Sequence, residues 1–285
     1  MKNGFSLVEL SIVLVILGLL TGGILAGKSL IRASELRSVS TDVQRYITAT
    51  QAFRDKYFYI PGDLPNATSF WGTLGGNSSD NYSYTCGLAP TTISQPLTCN
   101  GDGDGSTLYI VGTTGYVYER FRFWQHLANS GLIEGQYAGC NSTVCGLAVS
   151  GLTAGINVPA AKMGNSAFFH AAQYNGTGAT SCCGGFAGTT SIFALDTGKN
   201  MLLLTRTASP AAPDTLPLRP EEAWNIDLKM DDGLPGTGKV ASNKGDTTNN
   251  PCTTMAGVAA GADSGAAYNL PDSNRDCLLF FLRAF

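Results

Sequence analysis

The sequence predicts an α+β protein. One long N-terminal α-helix, with a membrane half and an amphipathic half, leads into a head of short helices and strands with long disulfide-held loops. Three observations predict it. Phe5 to Ala26 is an apolar run of 22 residues broken only by Ser6, Glu9, Ser11 and Thr21. Apolar positions then continue at helical spacing to Tyr57, before Pro61-Gly62-Asp63-Leu64-Pro65. Beyond Pro61, short apolar or β-branched runs alternate with Gly/Ser/Thr/Asn stretches, and all eight cysteines lie there.

The first run is long enough for a bilayer. As a helix, its 22 residues rise about 33 Å, against a hydrocarbon core of about 30 Å. A secretory signal peptide has a shorter core and a small-x-small cleavage site, whereas Ala26-Gly27-Lys28 is a poor one. Charge does not orient the segment, since Lys28, Arg32 and Arg37 follow it against Lys2 before it. A carboxylate at such depth costs about 2.5–3.5 kcal/mol on insertion scales, and such groups usually pair. Glu9 therefore needs a partner.

The helix continues through residues 28–59. Leu36, Val39, Val43, Tyr46, Thr50, Phe53 and Tyr57 are spaced alternately three and four apart, which sets them on one stripe. Arg37, Asp42, Arg45, Gln51 and Arg54 are expected on the other face. A helix from Phe5 to near Phe58 would be about 80 Å long. The Pro61–Pro65 segment ends it.

Gly4-Phe5-Ser6-Leu7-Val8-Glu9 is the most specific motif. A short charged leader ends in Gly, an aromatic residue follows, and Glu stands fifth after the Gly. Over Lys2 to Gly27 this resembles the N-terminal signal of type IV pilins and type II secretion pseudopilins. Gly18 also matches a helix-loosening glycine of that family. The absence of proline from the membrane segment departs from many members, and Gly22-Gly23 is the substitute flexible point, since Gly weakens a helix by about 1 kcal/mol relative to Ala. The resemblance implies that residues 1–4 are a leader and 5–27 a transmembrane assembly helix. Prepilin peptidase would cut between Gly4 and Phe5, and the new Phe5 amine would be methylated. In the filament, Glu9 of one subunit would neutralise the Phe5 amine of a neighbour. The implied partners are identical or related subunits, prepilin peptidase, the inner-membrane assembly machinery and, before assembly, the membrane itself. The implied location is the bacterial inner membrane as a precursor, with head exported and leader cytoplasmic, then an extracellular surface filament.

Residues 60–285 read as one head. "YERFRFWQHLANSGLIEG" is a helix with Phe121, Trp124 and Leu127 inward and Gly131 as its stop. "LRPEEAWNIDLKMDDG" is a second, with Pro220 in the first turn, Glu221 and Glu222 at its positive end and Gly233 beyond it. "SAFFHAAQY", "TSIFAL", "NMLLLTR" and "CLLFFLRAF" are strand candidates. The stretches 72–85, 175–190 and 236–270 read as surface loops. "YIPGDLPNATSFWG", "NGDGDG", "FWQHLANSGLIEG" and "AWNIDLKMDDGLPGTGKV" also look like segments of large type IV pilin-like proteins, which implies an antiparallel sheet laid on the stem helix.

Cys86, Cys99, Cys140, Cys145, Cys182, Cys183, Cys252 and Cys277 contain no C-x-x-C pair, and only His126 and His170 accompany them. Disulfides in an oxidising compartment are the expectation, rather than a metal or redox centre. On the order of 100 pairings exist. Proximity suggests Cys86–Cys99, Cys140–Cys145 and Cys252–Cys277, which leaves the adjacent Cys182 and Cys183. The last pairing would resemble the disulfide-closed C-terminal region of many pilins.

The chemistry-bearing stretch of the head is "CNGDGDG". Asn100, Asp102 and Asp104 alternate, with Gly105 next, like positions 1, 3, 5 and 6 of a calcium loop. The twelfth position is Val111 instead of Glu, so Glu119 is the candidate distant ligand. The alternative is an Asx/Gly turn without metal. Asp231 and Asp232 are a weaker candidate, read first as a helix end. Ca2+ is thus the candidate cofactor. The two histidines sit in structural stretches, and no GxSxG, HExxH or P-loop spacing occurs, so no enzyme is expected. Net charge is −3 with scattered basic residues, so no nucleic-acid partner is expected. Three functions remain in view: a structural subunit of a type IV pilus, a type II secretion pseudopilin, and a membrane-anchored exported protein that does not polymerise.

Overall fold

The computed structural model describes residues 6–73, 96–107, 111–112, 115–116, 119–139, 152–163, 166–174, 199–206, 216–242, 252–254 and 265–285. Helix α1 runs unbroken from Leu7 to Tyr57, 51 residues or about 77 Å. Its two halves have opposite environments. From Leu7 to Ile31, every Leu, Val and Ile is exposed by 50% to 86%. From Val39 to Phe53 the expected stripe turns inward, with Val39, Val43, Tyr46, Thr50 and Phe53 buried. Thr50 fits because its hydroxyl donates to the Tyr46 carbonyl at 2.8 Å. Asp42, expected on the solvent face, is buried instead. Arg45 at 3.3 Å and Lys162 at 4.0 Å supply the countercharge that makes this tolerable.

The head sheet is four-stranded and antiparallel, in the order β3-β4-β6-β5. Its strands are β3 (Ala167–Tyr174), β4 (Lys199–Arg206), β5 (Val240–Ser242) and β6 (Leu279–Leu282). β1 (Val111–Gly112) and β2 (Gly115–Tyr116) form a separate antiparallel pair. Alternation assigns the two sheet faces. Leu202, Leu204, Leu279 and Phe281 join the core shared with α1, while Met201, Leu203, Leu278 and Phe280 join a second core with Leu216 and Ala266. Being covered on both faces is why β4 and β6 read as continuous apolar runs. Tyr46 ties the stem to the sheet, its ring 4.9 Å from Trp124 and 5.2 Å from Phe169, both edge-on.

Two further expectations change. β5 falls in the stretch read as loop, yet all three of its residues are buried at the sheet edge. Helix α3 (Glu119–Asn129) is not one-sided, since every residue from Glu119 to Leu127 is buried. Its polar face is covered by the 97–100 segment, whose carbonyls at Leu97 and Asn100 accept from Gln125 and Arg122. A short α2 (Ala67–Trp71) follows the Pro61–Pro65 turn. Helix α4 (Pro220–Met230) has Pro220 in its first turn and Glu221 and Glu222 beside its N-terminus. Cys252 and Cys277 form a disulfide with Cα atoms 5.0 Å apart. Cys99 is also disulfide-bonded. Cys86, Cys140, Cys145, Cys182, Cys183 and the strand candidate "TSIFAL" lie outside the described residues.

Candidate functional site

Two regions carry the residues singled out by sequence. The first is the N-terminal end of α1. Gly4 and Phe5 lie outside the described residues. Ser6 is the N-cap, its hydroxyl accepting from Val8 N–H at 3.3 Å. Glu9 folds back to accept from Ser6 N–H at 2.9 Å. This is a capping box, and the Ser6-x-x-Glu9 spacing is its sequence signal. Within a single chain, then, the Glu9 carboxylate is held one residue from Phe5, at the end of the helix where backbone donors accumulate. Gly18, Gly22 and Gly23 lie within continuous helix, and a Cβ on any of them would meet nothing within 4 Å. They leave the stem surface smooth.

Where the stem meets the head, Arg32 forms a fork. Its Nε and Nη2 donate to the two Glu222 oxygens at 2.5 and 2.6 Å. Nη1 donates to Glu35 at 2.8 Å and Nη2 also to the Pro217 carbonyl at 3.2 Å. Glu222 in turn accepts from Arg219 N–H at 3.0 Å at the start of α4. Burial opposes ionisation of Glu222, yet the Arg32 hydrogen bonds win and hold its carboxyl below the usual range.

The second region is acidic. Carboxylate oxygens of Asp63, Asp102, Asp104 and Glu119 all lie within 4.8 Å of one another. The sequence reading named three of these and missed Asp63, which belongs to the turn after α1. Asn100, the fourth residue named, directs its side-chain oxygen to Thr68 N–H at 2.9 Å. Backbone packing assembles the cluster. Asp63 accepts from Gly103 N–H at 2.6 Å and Gly105 N–H at 3.0 Å, and Glu119 from Asp102 N–H at 3.1 Å. Gly62, at φ +91°, and Gly101 allow the close approach, because a Cβ on either would strike backbone of Glu119 or Asp63.

Crowding and burial shift the acids upward. Burial first, then the charge of Asp102, pushes Glu119 up to about 9. Burial first, partly offset by the Gly105 and Gly103 hydrogen bonds, pushes Asp63 up to about 7. Asp104 is raised by burial and by Asp102. An all-oxygen, all-carboxylate set of this kind suits a hard divalent ion.

The weaker pair, Asp231 and Asp232, joins Asp227 in a second cluster, but its oxygens are engaged in the loop after α4. Asp231 accepts from Lys239 N–H, Asp232 from Leu234 N–H and Thr237 Oγ1, and Asp227 from Gly233 N–H and Tyr268 OH. His126 is a core residue. Gly62 N–H donates to its Nδ1 at 3.0 Å, and its Nε2 lies 3.0 Å from Thr98 Oγ1. His170 is buried in β3.

No curated protein and no solved structure matches the chain. Residues 1–25 match the family model of the prokaryotic N-terminal methylation motif. That match covers Gly4, Phe5 and Glu9 and the exposed first turns of α1, the one helix among the described residues long and apolar enough to cross a membrane. The chain thus carries, at residues 1–25, the prepilin-type methylation motif of type IV pilins and pseudopilins.

Proposed function

We propose that this chain is a non-catalytic structural subunit of a type IV pilus. It is made as an inner-membrane precursor, cut by prepilin peptidase between Gly4 and Phe5, and polymerised into a surface filament through α1. The single observation that carries this reading is the division of one continuous helix. Residues 36–57 complete the head core, while every Leu, Val and Ile of residues 7–31 is left uncovered. Such a surface needs lipid before assembly and neighbouring stems after it. Glu9 supports the same reading, because its present partner is a backbone N–H one residue from the amine that cleavage would create.

Electron microscopy of sheared cell-surface material tests it. Filaments containing this subunit are expected from wild type, and few or none from Glu9→Ala. Deletion that abolishes protein secretion, with no surface filament in wild type, would assign the chain to a pseudopilus instead. A Glu9→Ala subunit indistinguishable from wild type would favour a non-polymerising anchored protein.

A second reading concerns the acidic cluster, and its specific support is the convergence of four carboxylates. Asp63, Asp102, Asp104 and Glu119 would hold one Ca2+, which would stabilise the turn joining stem to head. Because Asp63 and Glu119 sit at about 7 and 9, loading at pH 7 should release about one to two protons per ion and tighten as pH rises. Calorimetry of the full chain in buffers of different ionisation enthalpy reads this directly. A melting temperature unmoved by chelator and by added calcium would end the idea.

A further inference from the structure

A cavity of about 470 Å³ opens between the end of α1 and the loop at residues 103–105. Its lining combines Arg54, Phe58, Tyr59, Asp63, Asp104 and Asn200, with other groups behind them. The volume lies within the usual range for small-ligand pockets.

Phe58 is the unusual member. It caps α1 in the left-handed conformation, at φ 65°, a position most helices give to glycine. The residue is nevertheless 87% exposed. A bulky residue thus takes a strained backbone conformation and leaves its side chain in water, and neither burial nor a side-chain hydrogen bond compensates. Strain of this kind concentrates at ligand clamps. Tyr59, beside it, is also exposed.

The polar groups restrict the ligand. Arg54 makes no ion pair among the described residues, whereas Asp63 and Asp104 stand in the same cavity. An anion would face the two acids, and a cation would face the guanidinium. Hydroxyl groups suit both, since each can donate to a carboxylate and accept from an arginine. Asn200 holds the loop in shape, donating to the Gly105 carbonyl at 3.1 Å and accepting from Thr107. An occupant with hydroxyls on its edge and C–H groups on its face would also cover the exposed rings.

We propose that this cavity binds a neutral sugar ring, stacked on Phe58 and Tyr59, with its hydroxyl groups bridging Arg54 and Asp104. The site lies at the head end of the stem, away from the apolar half used for assembly, and does not depend on polymerisation.

Saturation-transfer NMR on the full chain tests it, in EDTA and in a detergent without a sugar headgroup. The probes are methyl α-glucoside, methyl α-galactoside, methyl α-mannoside and N-acetylglucosamine, with glucosamine and methyl glucuronide as charged comparisons. At least one neutral sugar should bind in the millimolar range, with transfer strongest to ring C–H protons. Phe58→Gly removes the ring and suits the positive φ, so it should melt no lower than wild type and bind at least tenfold more weakly. Tyr59→Ala should also weaken binding. Absence of transfer to every neutral sugar, binding confined to a charged one, or unchanged binding in Phe58→Gly would each overturn the proposal. EDTA removes the calcium reading from the measurement, and the solubilised subunit removes the filament reading.

Discussion

Phe53→Ala is the sharpest perturbation of the stem–head junction. The ring is fully buried, with centroids 4.4 Å from Tyr57, 6.3 Å from Trp71 and 6.3 Å from the parallel imidazole of His126. Truncation removes buried apolar area and leaves a cavity walled by three rings that cannot easily collapse. Such a change costs about 3–5 kcal/mol. For a domain of this size that lowers the melting temperature on the order of 10 °C. Thermal and urea unfolding of the full chain in detergent, followed by near-ultraviolet circular dichroism, reads it. Ile12→Ala on the same helix is the comparison. Ile12 is 54% exposed, in the half of α1 that leaves its apolar side chains uncovered, so head stability should be unchanged while filament yield falls. A loss below about 1 kcal/mol for Phe53→Ala, or a head destabilised by Ile12→Ala, would refute the division of α1 into an assembly half and a core half.

Three further outcomes follow from the geometry. Arg32→Ala strands a half-buried Glu222 that also caps α4; about 1–3 kcal/mol of local stability should vanish after allowance for solvent screening, seen as faster amide exchange over residues 28–36, and unchanged exchange there would count against the fork. Burial first, then the charge of Arg122, lowers His126 to about 3 from 6.5. The native imidazole therefore stays neutral where the unfolded one charges, and its contribution, up to about 4–5 kcal/mol, is present above pH 6.5 and lost as pH falls toward 3; nitrogen-15 NMR should show a neutral ring at pH 5, and titration near 6.5 would contradict its burial. Replacing Cys252 and Cys277 by Ala opens a cross-link spanning 25 residues and should reduce stability by about 3 kcal/mol in urea unfolding, while no loss would mean that the β6 region is held by packing alone.

What the sequence made legible was local. The motif from Gly4 to Glu9, the 3.6-residue stripe through Phe53 and the apolar runs of β3, β4 and β6 are each written in adjacent residues. Asp63 was missed because its role depends on a loop 40 residues away, and its own neighbours, Pro61 and Gly62, suggest only a turn. α3 misled because polar residues usually mark a wet face. Arg122 and Gln125 instead satisfy carbonyls of a segment folded over them, which no periodicity encodes. β5 is three residues in a Gly-rich stretch, too short for alternation to register. The capping box was legible too, in the Ser6-x-x-Glu9 spacing, and was overlooked because Glu9 was read only as an assembly residue.

Under the proposed function the two roles of Glu9 would be sequential. In the single chain its carboxylate holds the first turn of α1 together. In the proposed assembly, removal of the leader would place a charged amine next to the same N-cap, and pairing it with a carboxylate would offset the burial of both charges among apolar stems.

Mass spectrometry of the N-terminal peptide from sheared surface material tests the central claim most directly. The account predicts a subunit that begins at Phe5 and carries one methyl group on its amine. A subunit that still begins at Met1, or one cut after Ala26, would contradict it.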